Sequence, residues 1–578
     1  MTIFGGVFAL DANREIPDKT AQEFAKAISR NPADKATLHT GPGYALGFID
    51  LGLLPGQGDV VDAQGARSFL GGDLLLRSRA DASRTDDLRT LHEAWLGGDN
   101  SLLARMRGSF AVVQLDPARG TLRLAVDLFC VRSLYVSFVD GLVYFASALR
   151  ILEDISALKK RLDHRGLLEM TAFGFSLATR TPYEDIELLD GAEVIEVSRS
   201  RGIKRTKYWR WDELAPTDMD MGELSRAMHQ TFQDAVTWRL GKRRSVLSFF
   251  SGGLDSRCVT ASLLAAGAQV HSVNIAPEGS LDLVLGRNAA ERMKTRHFEY
   301  PHGPADGAVR IVAGHVAWLA SLATQDIPEF PSAPWTGNGG SVGLGHVYLD
   351  DTMVSLMQQG RRSDAVKAYL HKNRIQLTPM AFQPEFRSTL EACCFDGVLE
   401  QVQQLASFDE GRRLHLFLML NDQRRHSAAL YEDIDRCRLE TINPFFDAAF
   451  MRLVLSAPIE PFIHHRFYNT WLKEFPYALD TIPWQAYDDH EPCPLPMPKQ
   501  LVSQWEEGFY SKQTLKEASA QLLAHSSAAL ASENFPGTLL RRPVLQIAWW
   551  MTRAGIRDYS YLLKIASNLT HYSSKASA

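Results

Sequence analysis

Apolar and polar residues alternate in short stretches through the first part of the chain, the two-residue period of half-buried strands. Such stretches begin at Thr2-Ile3-Phe4-Gly5-Gly6-Val7-Phe8. They recur at Tyr44 to Leu51, Ser68 to Leu76, Gly108 to Leu115, Thr121 to Asp127, Leu134 to Phe138 and Leu142 to Phe145. Ala21 to Arg30 and Asp87 to Leu96 carry the helical period instead. Several short strands with helices between them predict stacked sheets covered by helices. The pattern changes past Ala215-Pro216, where a long amphipathic helix is expected over Leu224 to Leu240. An unbroken apolar run, Ser245 to Phe250, then stops at Ser251-Gly252-Gly253. A helix is expected over Leu254 to Ala266 and a second strand over Gln269 to Ala276. Helical patterns follow from Arg362 to Arg412 and from Val544 to Leu569. His490 to Pro498 is too proline-rich for a helix and reads as a loop or lid. Ser573 to Ala578 is expected to be disordered. The fold class is therefore α/β, divided into residues 1–215 and 216–578.

A chain of 578 residues exceeds one hydrophobic core, and two to four domains are expected. Its 45% hydrophobic and 22% charged content is that of an ordinary globular protein. A net charge of -5 gives no reason to expect a nucleic-acid partner. The six cysteines (Cys130, Cys258, Cys393, Cys394, Cys437, Cys493) have no metal-ligand spacing and read as free thiols in a reducing compartment. No secretory leader and no membrane-length apolar run is present, so a cytoplasmic location is expected.

The chemistry concentrates in SVLSFFSGGLDSR, Ser245 to Arg257. A strand, a glycine turn and a helix N-terminus aim backbone N–H groups at one point, which suits an anion. Gly252 and Gly253 let the backbone approach a phosphate, and Ser251 and Ser256 add hydroxyls. Asp255 repels a bare phosphate, so it implies either Mg²⁺ or a structural bond to the loop. No Lys follows the glycines, which excludes a Walker-type loop. SGGLDS resembles the pyrophosphate loop of the asparagine synthetase family and related ATP pyrophosphatases. The resemblance implies ATP and Mg²⁺ as cofactors, Asp255 as metal ligand, and a substrate carboxylate that becomes an acyl-adenylate. It also implies Phe250 and Ile275 flanking adenine, though burial alone explains both, and Asp282 near the nucleotide. The implied synthetase half is an adenine-nucleotide α-hydrolase-like parallel sheet with added helices.

RGSFAVVQLD, AVDLFCVRSLYV and LVYFASALRIL, within Arg107 to Leu152, resemble a class II glutamine amidotransferase domain, whose fold is an Ntn-type αββα sandwich. The family's nucleophilic cysteine follows the initiator Met, and this chain has Thr2 there. The family's oxyanion Asn segment aligns with Gly71-Gly72-Asp73. Loss of thiol and oxyanion donor predicts loss of glutamine hydrolysis. Thr2 as an N-terminal nucleophile is the alternative. Relatives that dispense with ammonia, β-lactam synthetases and lasso peptide cyclases among them, have lost the same reaction.

A second glycine loop, Trp335 to Gly345, resembles the family's ribose and α-phosphate loop, which implies nucleotide contacts from Thr336 and Gly337. Asn338 and Ser341 replace carboxylates of the asparagine-forming members. Asp350 and Asp351 are candidates to compensate, or an exposed acidic turn. RLETINPFFD, Arg438 to Asp447, resembles the family's Pro-Phe-Leu-Asp segment. Before it, Asp422, Arg424 and Arg425 are expected on a helix facing the site, where an Arg fork suits a carboxylate or phosphate. An exposed basic face is the other reading. Lys473 is the candidate for the pyrophosphate-stabilising lysine, with Lys499 a poorer one. Asp422, Arg425 and Lys473 are thus the expected catalytic set. The resemblance implies an AMP-forming ligase acting on a small-molecule or peptide carboxylate without glutamine. Sugar-acid amidation and a non-catalytic nucleotide-binding scaffold stay open, as does a homodimer.

Overall fold

The protein is described by a computed structural model. It covers residues 2–304, 307–325, 333–373, 379–405, 409–487, 489–498, 501, 503 and 509–577. Lys499 lies outside the described residues. Strands β1 (Thr2–Ala9), β2 (Thr37–Gly41), β3 (Tyr44–Asp50), β4 (Asp59–Val61), β5 (Arg67–Gly72) and β6 (Phe110–Asp116) come first. They are followed by β7 (Thr121–Val126), β8 (Tyr135–Val139), β9 (Leu142–Ala146), β10 (Glu187–Leu188), β11 (Glu193–Ser198) and β12 (Gly202–Lys207). One sheet runs β10-β8-β9-β1-β3-β2 and the other β12-β11-β7-β6-β5-β4. β1 is wholly buried and pairs antiparallel with both β3 and β9.

The sheets meet face to face, with Phe48 and Phe69 ring centroids 4.5 Å apart across the gap. The helix Asp18–Ala27 covers the first sheet through Ala21 and Phe24. The helix Arg84–Leu96 covers the second through Leu88, Leu91 and Trp95, and opens on a Ser83/Asp86 capping box. This is the expected αββα sandwich. Its helices start three residues earlier than the apolar pattern indicates, because polar first turns such as Arg84-Thr85-Asp86 carry no hydrophobic period.

After the helix Met221–Leu240, β13 (Ser245–Phe249), β14 (Gln269–Pro277) and β15 (Arg296–His302) form a parallel sheet. Two single-residue parallel bridges widen it: Ser248 pairs with Trp335, and Trp335 with Ile442. Each bridge is backed by reciprocal backbone hydrogen bonds, Phe249 N to Trp335 O and Trp335 N to Leu247 O in the first case. The helix Gly307–Leu322 seals one sheet face through Trp318 and Leu322.

Charge joins the two halves. Asp447, fully buried, accepts hydrogen bonds from Arg107 and Arg239, while Asp435 and Asp433 pair with Arg30. Arg132 pairs with buried Glu440 and stacks on Tyr431, 3.6 Å from the ring centroid. Helices Lys512–Ala531, Arg542–Arg553 and Ser560–Ser577 pack against Leu167 and Leu168 of the first half. Residues 573–577, expected to be disordered, continue the last helix instead, where Lys575 pairs with Asp154 at 2.5 Å. Among the described residues no helix is long and apolar enough to cross a membrane. None of the six cysteines is in a disulfide.

Behind the second glycine loop lies a buried basic cluster. The Arg412 guanidinium sits 3.1 Å from His415 Nδ1 and 3.4 Å from His346 Nε2. Burial, reinforced by these neighbours, holds both imidazoles well below their ordinary value. They are neutral when folded and take up protons when unfolded below about pH 6.5. The stability this provides is complete above that pH and is lost as pH falls. Urea unfolding is expected to show a loss of about 1–2 kcal/mol per histidine between pH 7.5 and pH 5.

Candidate active site

Both glycine loops leave the same ends of neighbouring parallel segments, β13 and the bridge at Trp335, where open α/β sheets collect ligands. They border a cleft of about 410 Å³. Phe250, Ser251, Asp255, Ser256, Ile275, Thr336 and Gly337 all line it, as do Asp282, Asn338 and Ser341. A smaller cavity of about 260 Å³ adjoins it and shares Ser251, Asp255, Ile275, Asp282, Arg310, Ser341 and Tyr487. Gly253 lines that second cavity, whereas Gly252 lines neither.

The first loop's N–H groups are occupied by its own neighbours. Ser251 N donates to Ser256 Oγ at 3.0 Å, Gly252 N to Asp282 Oδ1 at 2.9 Å and Gly253 N to Ser251 Oγ at 3.2 Å. Gly252 has no room for a side chain, since a Cβ would stand 2.9 Å from Asp282 O.

Asp255 is where the two loops meet. Half-buried at the start of the helix Asp255–Ala265, it accepts hydrogen bonds from Ser341 Oγ at 2.5 Å and Tyr468 OH at 2.6 Å. Burial holds its carboxyl above the ordinary value, against the pull of those two hydroxyls. Burial raises Asp282 as well, against Gly252 N–H and the Arg257 charge. Two desolvated carboxylates on one cavity fit a divalent cation, which supplies the charge that burial denies them. Ser341 explains one departure from the asparagine-forming pattern: its hydroxyl donates to Asp255, where a second carboxylate would repel it.

Close approach fixes the second loop. A Cβ on Gly340 would lie 2.5 Å from Asp255 Cγ, and one on Gly337 would lie 2.7 Å from Ser256 N. Gly340→Ala is expected to force these loops apart, at a cost of about 1–3 kcal/mol. Thermal unfolding and an ATP titration check this: the variant melts earlier and binds at least about tenfold more weakly.

The expected catalytic residues fare differently. Arg425 donates to the carbonyls of Ala178 (3.3 Å) and Arg180 (3.1 Å), and Arg424 also bonds Ala178 O, so both tie the halves together. Burial pulls Arg425 down to about 10. Lys473 is exposed, on a short turn whose Glu474 bonds Ser225 of the helix Met221–Leu240, and it lines neither cavity. Asp422 is part-buried beside Gln423, which donates to it at 2.6 Å, and does not line the cleft either. Asp350 caps the helix Asp351–Gln358 and Asp351 pairs with Arg466 at 2.8 Å, so neither replaces the missing carboxylates.

The cleft instead receives Gln423, His426, Arg310 and Tyr487. Gln423 and His426 stand three apart on one helical face, a spacing readable from sequence once the helix phase is known. Arg310 is the cationic side chain in both cavities, and its Nε has no partner among the described residues. Nothing in its local sequence distinguishes it.

Thr2 is enclosed by its neighbours. Thr2 is fully buried, and its hydroxyl accepts from Arg84 Nη2 at 3.2 Å. The Arg84 guanidinium also donates to Gly72 O at 2.7 Å and to Leu70 O. Gly71 offers no side chain, and Asp73 is held by Arg79 at 2.6 Å.

A glutamine amidotransferase domain family matches residues 75–209, and the asparagine synthase family matches residues 227–329. Among curated proteins, the glutamine-hydrolyzing asparagine synthetase 3 of Bacillus subtilis is 29% identical over 197 residues, 33% of this chain and 31% of that protein. The glutamine-hydrolyzing asparagine synthetase of Triphysaria versicolor is 28% identical over 249 residues, 40% and 36% of the two chains. The chain thus spans about a third of the length of these two relatives. The solved allosteric regulatory enzyme of purine biosynthesis aligns with 54% of this chain and 91% of its own at 8% identity. Its TM-score is 0.24, too low to bear on the fold. In sequence, residues 75–209 are thus similar to glutamine amidotransferase domains and residues 227–329 to asparagine synthases.

Proposed function

We propose that the protein is an ATP-dependent, AMP-forming amide-bond synthetase that joins a substrate carboxylate to an amine without hydrolysing glutamine. The observation that carries this reading is the convergence of both glycine loops on Asp255, at one cleft past the ends of parallel strands. ATP supplies an electrophilic α-phosphorus and pyrophosphate as leaving group, and Asp255 and Asp282 would hold its Mg²⁺. Ser251 and Gly253, which line the cavities, would bring N–H and hydroxyl donors to the phosphates, and Phe250 and Ile275 bound the inner wall. Arg310 is placed to neutralise charge in the smaller cavity. The substrate carboxylate forms the new O–P bond as pyrophosphate leaves. The amine nitrogen then bonds the acyl carbon, and AMP departs.

The test is turnover of Mg-ATP in the presence of a metabolite extract, following AMP, ADP and pyrophosphate. AMP with pyrophosphate supports the reading, and ADP with phosphate overturns it. A non-catalytic nucleotide-binding role, favoured by Asn338 and Ser341, is the second reading. Under it ATP binds but no extract gives turnover.

Independence from glutamine rests on the packing of Thr2 under Arg84. Glutamate release from glutamine is expected at background for the wild type. Thr2→Cys is expected to remain there, because Gly71 still offers no oxyanion donor and Arg84 still covers the position.

A further inference from the structure

Beside the smaller cavity, His464, Asp489 and His490 each bring a ligand atom to within 4.8 Å of the others, the one such grouping among the described residues. His464 and His465 both have positive φ, 58° and 62°, which turns His465 into the cavity wall and His464 to the outside. His490 lies between them, its ring centroid 4.5 Å from His465 and 5.8 Å from His464. The His490 side chain is wholly buried, and its Nε2 has no hydrogen-bond partner among the described residues. Its Nδ1 lies 2.8 Å from Asp489 Oδ1.

His464 makes the stronger case. Its Nε2 is 3.3 Å from the Asp351 carboxylate, and its Nδ1 is 2.5 Å from the Asp489 carbonyl oxygen. A neutral imidazole has one N–H and one lone pair, so one of these contacts sets a lone pair against an oxygen. A cation between them, or a proton on both nitrogens, resolves the conflict. The surroundings favour positive charge. Asp350, Asp351, Asp489 and Glu491 outnumber Lys372 and Arg466, which pair with them.

We infer that His464, Asp489 and His490 form a binding site for a transition-metal dication of the zinc type, distinct from the Mg²⁺ of the nucleotide cleft. Two imidazoles and one carboxylate are a donor set for Zn²⁺ or Co²⁺ and a poor one for Mg²⁺. Water or Asp351 supplies the fourth position. Bound there, the metal clips the turn at His464 to the segment that carries Gln485 and Tyr487, which line the smaller cavity. Glu491 N already donates to His464 O across the same gap at 3.0 Å. The site stands on its own geometry and does not depend on the proposed reaction.

Chelator-treated, tag-free full-length protein, held in Mg²⁺, is titrated with Co²⁺ and followed by visible absorption and by metal analysis. One equivalent is expected to bind with the intense bands of a four-coordinate site, and to be displaced by Zn²⁺. Asp489→Asn and His490→Ala are expected to weaken binding by more than about 100-fold. Asp255→Asn, in the nucleotide cleft, keeps the full stoichiometry. His464→Gln is the surface variant that decides the matter if His490→Ala fails to fold, because His464 is 20% exposed. Absence of the Co²⁺ bands in the wild type, or unchanged binding in His464→Gln, overturns the site.

Discussion

Asp255→Asn is expected to lower AMP and pyrophosphate release on the order of a thousandfold while leaving the fold more stable than before. The two effects share one cause. Asn keeps the side-chain volume and an oxygen for Ser341 or Tyr468, so the meeting of the loops survives. What it removes is a negative charge in a desolvated place. Because burial raises this carboxyl in the fold, its stabilising contribution is present below the unfolded value of 3.8 and is lost as pH rises through the folded one. At neutral pH the ionised group therefore costs stability in the absence of a cation, and a neutral isostere escapes that cost. The checks are a thermal melt in chelator at pH 7.5, where the variant unfolds at higher temperature, and a turnover assay in Mg²⁺. A variant that melts earlier, or that retains turnover, contradicts the role given to this residue. Functional groups held against their own stability are a common price of an active site.

Asp447→Ala is expected to lose about 3–5 kcal/mol of stability, the cost of stripping the partner from buried charges. Five donors converge on this carboxylate: Arg107 through Nε and Nη2, Arg239 through Nη1, and the backbone N–H groups of Ala449 and Phe450. Its removal leaves two guanidinium groups facing each other across the joint, and it uncaps the helix Ala448–Ser456. Asp447→Asn keeps an oxygen for the cap and loses the charge, so its loss falls between wild type and Ala. Urea unfolding of the three proteins, read by midpoint at constant slope, gives the order. An Ala variant within about 0.5 kcal/mol of wild type would mean that the joint is held by its apolar contacts alone.

The strands and the two glycine loops are legible in the sequence because period and turn chemistry are local. Ser251, Gly252, Gly253 and Asp255 lie within a few residues of one another, so their convergence needs no knowledge of the fold. Arg310 reaches the cleft and Tyr468 reaches Asp255 from distant helices, and no local pattern marks either. Lys473 and Arg425 were attractive for their charge, yet charge alone does not say which side of a helix meets the cleft. The joint between the halves was unreadable for a related reason. Its pairs, such as Arg30 with Asp435 or Arg107 with Asp447, are separated by hundreds of residues, and each member alone looks like ordinary surface charge.

The segment just before Arg424 and Arg425 is one wide π turn, Met419–Gln423, set between the helices Arg413–Leu418 and Arg424–Glu432. Such a turn holds one residue more than the α-helix around it, which amounts to a single insertion accommodated without breaking the rod. Excising one residue there would rotate everything downstream by about 100°. Gln423 and His426 would swing off the cleft, and the arginines now spent on Ala178 would lose their carbonyls. The identity of the groups facing the substrate is thus set by a phase as much as by composition. A relative without the insertion would present a differently charged wall from nearly the same residues.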